Sequence, residues 1–251
     1  ALSGEMLSVA LGPGLLGQVY DGLQNPLKDL AGSHGTFLPR GVELPAIEAT
    51  QLWSFHARVE RGAEVAAGDV LGTVEEAHVT HKILAPFDLG APARVRWIQD
   101  GAFSADEPVA ELETAADETR LIRLQQPWPV RRPLARPLIR AGLSERLYPD
   151  APLTTTIRLI DTFFPVAKGG TACIPGPFGA GKTVLQNLIA RHSDADVVVV
   201  VACGERAGEV VETIVTFPEM RDPTTGGPLM NRTVIICNTS SMPVAARESS
   251  I

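Results

Sequence analysis

The segment from Gly176 to Thr183 constrains this chain more than any other, because it fits a phosphate-binding loop at every fixed position. The pattern is G-x-x-x-x-G-K-[ST], and its members are Gly176, Pro177, Phe178, Gly179, Ala180, Gly181, Lys182 and Thr183. An apolar run at 171–174 predicts a strand before the loop, and residues 184–192 predict a helix after it. This order of strand, glycine-rich turn and helix is the context in which the motif binds phosphate.

The residue types of this loop suit a nucleoside triphosphate. Glycines let backbone N–H groups approach phosphate oxygens with no Cβ in the way, and the helix N-terminus adds partial positive charge. Lys182 supplies a full charge for the β- and γ-phosphates, and the Thr183 hydroxyl is of the type that ligates the accompanying Mg²⁺. A chance match is one alternative. A dinucleotide loop is the other, but its spacing is G-x-G-x-x-G, not the G-x-x-G-x-G found here.

Composition limits the classes of function. The 251 residues suffice for one large domain or two modest ones. A net charge of −7 argues against a nucleic-acid-binding surface over much of the molecule, and we expect no nucleic-acid partner. No apolar run is long enough to span a membrane. The three cysteines form no C-x-x-C pair, so we expect neither disulfides nor a zinc site, and a reducing compartment.

A second glycine-rich segment lies near the N-terminus. Residues 5–11 predict a strand, and Gly12 to Gly17 satisfies G-x-G-x-x-G. Gly22 and Pro26 would interrupt the helix that a dinucleotide site needs next. We therefore predict a structural turn here, with a cofactor loop as the alternative.

Residues 31–119 contain short β-type runs separated by Gly, Pro and Asp, a pattern that predicts a small β-barrel or sandwich. This stretch resembles lipoyl and biotinyl carrier domains, with Lys82 near the position of the modified lysine, but the flanking residues differ and we predict a solvated hairpin lysine. His78 and His81 beside Glu75 and Glu76 suggest a metal cluster as an alternative, although positions three apart on a strand face opposite sides.

Proline and arginine are concentrated in residues 125–152, which predicts a stiff irregular connection between domains. Its arginines are expected to be solvated or paired at an interface, with phosphate binding as the alternative. Residues 156–164 predict a short amphipathic helix that ends at Pro165.

Residues 197–202 predict a central strand of a parallel sheet, buried on both faces, because they form an unbroken apolar run. Ligands of such sheets meet the carboxyl ends of strands, which places Glu205 and Arg206 beside the phosphates. Glu205 could orient water for in-line attack, and Arg206 could offset charge on the transferred group. Pairing of both with nearby helix ends is the alternative. A helix at 209–217 and a strand at 233–237 follow, and Cys173, Cys203 and Cys237 are expected to be buried in strands.

Several segments together resemble the catalytic A subunit of V-type and archaeal-type rotary ATPases. They are the phosphate loop, Gly204-Glu205-Arg206, Phe217-Pro218-Glu219, 222–230, 238–248, Gly12 to Leu16, Tyr20-Asp21-Gly22 and Trp128 to Arg132. The β-rich segment before Trp128 matches the insertion that distinguishes A subunits from the F-type beta subunit. The resemblance covers nearly the whole chain.

The resemblance implies a RecA-like α/β phosphate-loop domain with a parallel sheet, truncated at its C-terminus, with a β-rich insertion and the remnant of an N-terminal β-barrel. The implied segments are the barrel end and connector at 1–18, a linker at 19–30, the insertion at 31–124, the Pro/Arg-rich connection at 125–152 and the incomplete ATP-binding domain at 153–251.

The implied function is ATP hydrolysis or synthesis coupled to proton or sodium transport, with ATP or ADP and Mg²⁺ bound. Lys182 and Thr183 would take the phosphate and magnesium roles, Glu205 would polarise water, and Arg206 would support the γ-phosphate. Implied partners are B-type non-catalytic subunits in an alternating hexamer, together with central rotor and peripheral stalk subunits. The implied location is peripheral, on the cytoplasmic face of a membrane.

The chain departs from this family in three respects. Ala180 stands where relatives often carry Ser or Cys, the chain opens at the last strand of what should be an N-terminal barrel, and no apolar strand ending in Asp follows to complete the magnesium site. We therefore expect an internal fragment that is nearly inactive by itself. Another ring-shaped phosphate-loop motor, such as a secretion ATPase or RNA translocase, and a non-catalytic nucleotide-binding module remain as alternatives.

Overall fold

In a computed structural model, the described residues are 6–35, 41–42, 44–115, 117–131, 148–177 and 179–248. The N-terminal part contains β1 (Ser8–Leu11), β2 (Val19–Asp21) and α1 (Leu27–His34). The strand predicted at 5–11 is confirmed in its second half, and the glycine-rich segment after it forms the predicted turn between β1 and β2. Residues 19–30, expected as a linker, hold β2 and the start of α1.

The described residues of the β-rich segment form eight strands, in agreement with the predicted β-type runs and turns. They are β3 (Leu52–Ala57), β4 (Glu64–Val65), β5 (Val70–Glu76), β6 (Val79–Leu84), β7 (Ala93–Ile98), β8 (Gly101–Ser104), β9 (Pro108–Glu113) and β10 (Thr119–Arg123). They form two antiparallel sheets, in the orders β6-β5-β3-β8 and β10-β9-β7-β4. One hydrophobic core joins the sheets, with Phe55, Leu71 and Leu112 fully buried.

Lys82 is exposed and lies in the hairpin of β5 and β6, as predicted. It lies inside β6 opposite Thr73 and not at the tip, because the chain reverses at Ala77 and His78, where Ala77 has a φ of 54°. His81 lies 3.4 Å from Glu76, measured from Nδ1 to Oε2. Across the described part of the chain, no three His, Cys, Asp or Glu side chains are grouped to hold a metal.

The remaining elements follow in chain order. They are β11 (Gln126–Pro129), β12 (Pro152–Leu153), α2 (Arg158–Phe163), β13 (Val166–Ala167), α3 (Lys182–His192), β14 (Val198–Glu205), α4 (Ala207–Glu219), a 3₁₀ turn (Leu229–Arg232), β15 (Thr233–Thr239) and α5 (Val244–Glu248). The helices predicted at 156–164, 184–192 and 209–217 are thereby confirmed within a few residues.

The Pro/Arg-rich connection is not irregular throughout, because its first residues form β11, which pairs antiparallel with β1. Proline lacks an N–H but is tolerated where a strand lies at a sheet edge, and a two-stranded ladder has only edges. Arg132, Pro133, Arg136 and Pro137 lie outside the described residues.

The expected parallel sheet is present, in the order β14-β15-β2, with all three strands parallel. Phe217 of α4, Leu229 of the 3₁₀ turn and Ile235 of β15 form the fully buried centre of its core. Residues from both ends of the chain meet in this sheet, since Ile235 is opposite Val19.

Two details of the predicted sheet are wrong. Strand β14 is at the edge of the described sheet instead of its centre, and Val199 remains 58% exposed. Residues 171–174 form no strand, because no described strand pairs with them and an isolated extended segment has no ladder to join.

The prediction that all three cysteines are buried in strands is confirmed for one of them and wrong for two. Cys237 on β15 is buried as predicted, whereas Cys203 on edge strand β14 and Cys173 are exposed. No helix within the described ranges is long and apolar enough to span a membrane.

Candidate functional site

The phosphate loop has the backbone geometry that its glycines predict. Gly179 and Gly181 have φ values of 79° and 82°, in the left-handed region that favours glycine. A Cβ placed on Gly176 would lie 3.1 Å from the Cβ of Ala180, so this glycine permits a tight turn. Pro177 accepts a hydrogen bond of 3.3 Å from Ala180 N, and Phe178 lies outside the described residues.

Helix α3 begins at Lys182, with Gly181 as its N-cap residue. The Lys182 ammonium donates a 2.7 Å hydrogen bond to the carbonyl oxygen of Pro177, so it folds back over the loop. Because the first N–H groups of a helix lack internal partners, the α3 N-terminus presents donors and partial positive charge at the loop.

An open cavity of about 590 Å³ begins at this helix end. It is lined by Gly179, Gly181, Lys182, Thr183, Val184, Asn187, Arg206, Gly208, Glu209 and Glu212. The structure therefore brings the predicted Lys182, Thr183 and Arg206 together, although Arg206 is separated from the loop by a helix and a strand in sequence.

Glu205 ends β14 and directly precedes Arg206, the N-cap residue of α4. Gly204 has a φ of 78°, and the pairing register between β14 and β15 shifts at this residue, between Cys203 and Glu205. The Glu205 carbonyl is held by a 2.8 Å hydrogen bond from Ser240 N. Among the described residues, Glu205 is next to the cavity but is not part of its lining.

Burial raises the pKa of the Glu205 carboxyl, and the negative charge of Glu209 raises it further. A carboxylate with a raised pKa is a stronger base and is more effective at accepting a proton from water near neutral pH. Burial of the neighbouring Cys237 thiol, together with the negative charge of Glu205, raises the pKa of that thiol to about 11.

Sequence reasoning missed Asn187, Glu209 and Glu212 as lining residues. Asn187 follows Thr183 by four positions on α3, and the two glutamates are three apart on α4. Residues at these spacings share one face of a helix, so helical periodicity applied from Thr183 and Arg206 could have found them.

The chemistry of these residues fits a phosphate group. The loop N–H groups, the helix N-terminus, Lys182 and Arg206 are the positive and donor groups that an anion needs. For Mg²⁺, Thr183 would offer a hydroxyl oxygen, and no cluster of three acidic, histidine or cysteine ligands exists among the described residues. The ion's other ligands would then be phosphate oxygens and water, as Mg²⁺ prefers.

Comparison with known proteins gives matches in both halves of the chain. Residues 156–251 match the model of the ATP synthase alpha/beta family, nucleotide-binding domain. Residues 44–131 match the model of the ATP synthase alpha/beta subunit barrel-sandwich domain, in agreement with the two sheets of β3 to β10.

Curated relatives match over almost the full length of the chain. The V-type ATP synthase alpha chain 1 of Treponema pallidum is 55% identical over 250 residues, which are 99% of this chain and 41% of the relative. The V-type ATP synthase alpha chains of Borrelia turicatae and Treponema denticola are 53% and 51% identical, over 98% and 99% of this chain and 42% and 41% of theirs. This chain thus spans about two fifths of the length of these relatives. Both domain models match, and more than half of the aligned residues are identical to those of V-type alpha chains over nearly the whole chain. The chain therefore belongs to the ATP synthase alpha/beta family.

Proposed function

We propose that this chain carries the nucleotide site of a V-type rotary ATP synthase alpha chain, the subunit in which ATP is hydrolysed or synthesised. The full activity includes coupling to the transport of protons or sodium ions across a membrane. Since the chain covers only part of its relatives, the activity belongs to the full-length protein in its assembly.

One observation carries this proposal: the left-handed loop glycines and the α3 N-terminus open into the same cavity as Arg206, at the carboxyl end of parallel strand β14. In parallel α/β sheets this is the edge at which ligands bind. The raised pKa of the Glu205 carboxyl and its position one residue before Arg206 support a role for Glu205 as the base.

Each residue has a role that follows from its chemistry. The backbone of 176–183 and Lys182 bind the phosphates of ATP or ADP, and Lys182 exchanges the Pro177 carbonyl for a phosphate oxygen. Glu205 orients a water molecule and accepts its proton as the water oxygen attacks the γ-phosphorus in line. The bond from the γ-phosphorus to the β–γ bridging oxygen breaks on the opposite side, and ADP leaves together with inorganic phosphate. Arg206 offsets the charge that develops on the transferred group. Thr183 would help to hold a magnesium ion, which would supply further neutralisation of phosphate charge.

The proposed assembly follows the family. The chain pairs with B-type non-catalytic subunits in an alternating hexamer around a central rotor, with a peripheral stalk, and lies on the cytoplasmic face of a membrane. The proposed domain division places the insertion at 31–124 and the ATP-binding part from 153 onward, with a net charge of −7 that does not favour a nucleic-acid partner.

The test compares ATP hydrolysis by wild type and Glu205→Gln in the full-length protein assembled with its B-type partner. Gln keeps the size of the side chain but cannot act as a base, so turnover should fall by about two to four orders of magnitude while ATP binding persists. Glu118→Gln, an exposed glutamate of the insertion, is the matched control and should keep normal turnover.

Other results would redirect the proposal. Unchanged turnover in Glu205→Gln would move the chemistry to another residue. ATP binding without turnover in wild type would favour a non-catalytic nucleotide-binding module, and turnover that rises with added RNA would favour an RNA translocase.

A further inference from the structure

Helix α3, which carries Lys182 and Thr183 at its start, has no fully buried side chain in the described structure. Val184 and Leu188 of this helix are exposed. Ala190 is partly buried and packs against the core of the parallel sheet. Side-chain packing along the helix therefore contributes little to holding α3 in position. The contacts that hold it are concentrated at the opposite end from the phosphate loop.

Those contacts centre on the guanidinium of Arg232, which is 3% exposed and lies just before β15. Its Nη2 donates to the Arg191 carbonyl in the last turn of α3 at 3.2 Å. Its Nη1 donates to the carbonyl of Ala195, in the connection from α3 to β14. The last carbonyls of a helix lack internal partners, and positive charge there interacts favourably with the helix dipole.

Asp222 fixes the guanidinium from the other side. It is 2% exposed, and its Oδ2 lies 3.1 Å from Arg232 Nε. Burial by itself would raise the pKa of Asp222, but hydrogen bonds from Thr224 N and Thr225 Oγ1 and the Arg232 charge hold this pKa below its usual value. The carboxylate thus stays ionised and keeps the arginine in one orientation.

Helix α3 also donates a hydrogen bond to the loop at 221–228. Arg191 Nε donates to the Arg221 carbonyl at 3.1 Å, so Arg191 is bonded both to Arg232, through its carbonyl, and to this loop, through its side chain. That loop is itself closed, with Asp222 N bound to the Gly227 carbonyl at 2.9 Å and Gly226 N bound to the Asp222 carbonyl at 2.8 Å.

We propose that Arg232, oriented by Asp222, is a positioning residue for the nucleotide site: it anchors the C-terminal end of α3 and so sets the place of Lys182 and Thr183 at the other end. This rests on the proposed function. Eleven residues of helix span about 15 Å, so a tilt of a few degrees at the anchored end moves the other end by about 1 Å. Displacements of that size at a reacting centre can cost about 100-fold in rate.

Arg232→Lys in the full-length assembled protein tests the anchor, because lysine keeps a positive charge for Asp222 but loses the planar set of donors that reaches two further carbonyls. We expect ATP to bind at least about fivefold more weakly, and amide hydrogen exchange of 182–192 in the nucleotide-free protein to speed up by about tenfold. Arg191→Ala, which leaves the buried pair intact, should act in the same direction with a smaller effect, and it remains informative if Arg232→Lys folds poorly.

Leu229→Ala is the control for a purely structural role, because it opens a cavity in the same core and removes none of the hydrogen bonds that Arg232 and Arg191 make. If it weakens ATP binding as much as Arg232→Lys at an equal loss of thermal stability, the positioning role is overturned. Unchanged exchange in α3 of Arg232→Lys would also overturn it. If wild type binds no ATP, the proposed function fails first, and exchange in α3 then reports the anchor by itself.

Discussion

The Glu76 carboxylate on β5 accepts a hydrogen bond of 2.7 Å from the backbone N–H of Gly14, in the turn between β1 and β2. The same oxygen accepts a second bond, of 3.3 Å, from Leu16 N. The N–H groups of the second glycine-rich segment are thus bound to the protein's own carboxylate. This contact explains why that segment is a structural turn, and it joins the insertion to the chain that enters the parallel sheet.

Removing this contact should destabilise the junction. Glu76 is buried, and Glu76→Gln replaces a charged acceptor of two N–H groups by a neutral one. We expect a loss of about 1–3 kcal/mol, measured by urea unfolding. Glu75→Gln is the matched control, since Glu75 is exposed and bonds only the exposed hydroxyl of Thr80 among its described partners. Equal losses in the two variants would contradict the role of Glu76.

Gly22 lies where β2 meets the end of β15. A Cβ at this position would collide with the Asn238 side chain and with the Ala246 carbonyl oxygen. We expect Gly22→Ala to cost about 1–3 kcal/mol, because the well-packed neighbours cannot yield. Gly32→Ala in α1 meets nothing within 4 Å and should be neutral or stabilising, and melting temperatures of the two variants provide the comparison.

Gly181→Ala should weaken ATP binding. Alanine is strained by about 1–2 kcal/mol in the left-handed conformation of this N-cap residue, so the loop would relax away from the geometry that presents its N–H groups. A fluorescent ATP analogue should bind about tenfold more weakly. Gly35→Ala also places a Cβ on a residue of positive φ, 66°, and Gly35 is not among the residues that line the cavity. A similar loss of affinity in Gly35→Ala would show that general strain, and not loop geometry, is responsible.

The pKa of Glu205 should be visible in the pH dependence of kcat/KM. Because burial and Glu209 raise this pKa, the carboxyl remains protonated to a higher pH than an ordinary glutamate, and the acid limb of the profile is displaced upward. The folded state then holds this proton more tightly than the unfolded chain, so the group's contribution to stability falls as pH rises through the raised pKa.

Glu209→Gln removes the second cause of the shift and should move the acid limb to lower pH. Glu219→Gln, an exposed glutamate at the other end of α4, should leave the limb where it is. A limb that does not move in Glu209→Gln would mean that another group controls it.

The three cysteines should differ in their rate of alkylation. With a pKa of about 11, the Cys237 thiol is only about one thousandth thiolate at pH 8, and it is also buried. Cys173 and Cys203 are exposed and should react first with iodoacetamide, as followed by peptide mass spectrometry. All three should react at similar rates in urea, and rapid native labelling of Cys237 would contradict the burial described here.

Local sequence signals predicted the elements that depend on local physics. The Gly181-Lys182-Thr183 turn and the helix after it follow from glycine geometry and helix propensity, and the β-type runs of the insertion follow from alternation and turn residues. Arg206, which lines the same cavity as the loop, could be anticipated there because parallel strands have a shared ligand-binding edge, and the role of the neighbouring Glu205 stays a prediction.

Features that depend on distant partners could not be predicted in this way. An apolar run such as 197–202 has the same composition in a central strand and in an edge strand, and only the order β14-β15-β2 shows that Val199 is exposed. The pairing of Glu76 with Gly14 and of Asp222 with Arg232 depends on the fold as a whole. No local pattern marks either carboxylate as buried.

The register that joins β2 to β15 has a consequence for synthesis on the ribosome. Val19 pairs with Ile235, so roughly 200 residues must be translated after β2 before its neighbouring strand exists. At about 5–20 residues per second, β2 waits about 10–40 s, while β3 to β10 have all their partners at hand. The two-sheet insertion can therefore complete its core first, and the nucleotide-binding sheet closes later around a strand that was translated well before its neighbour.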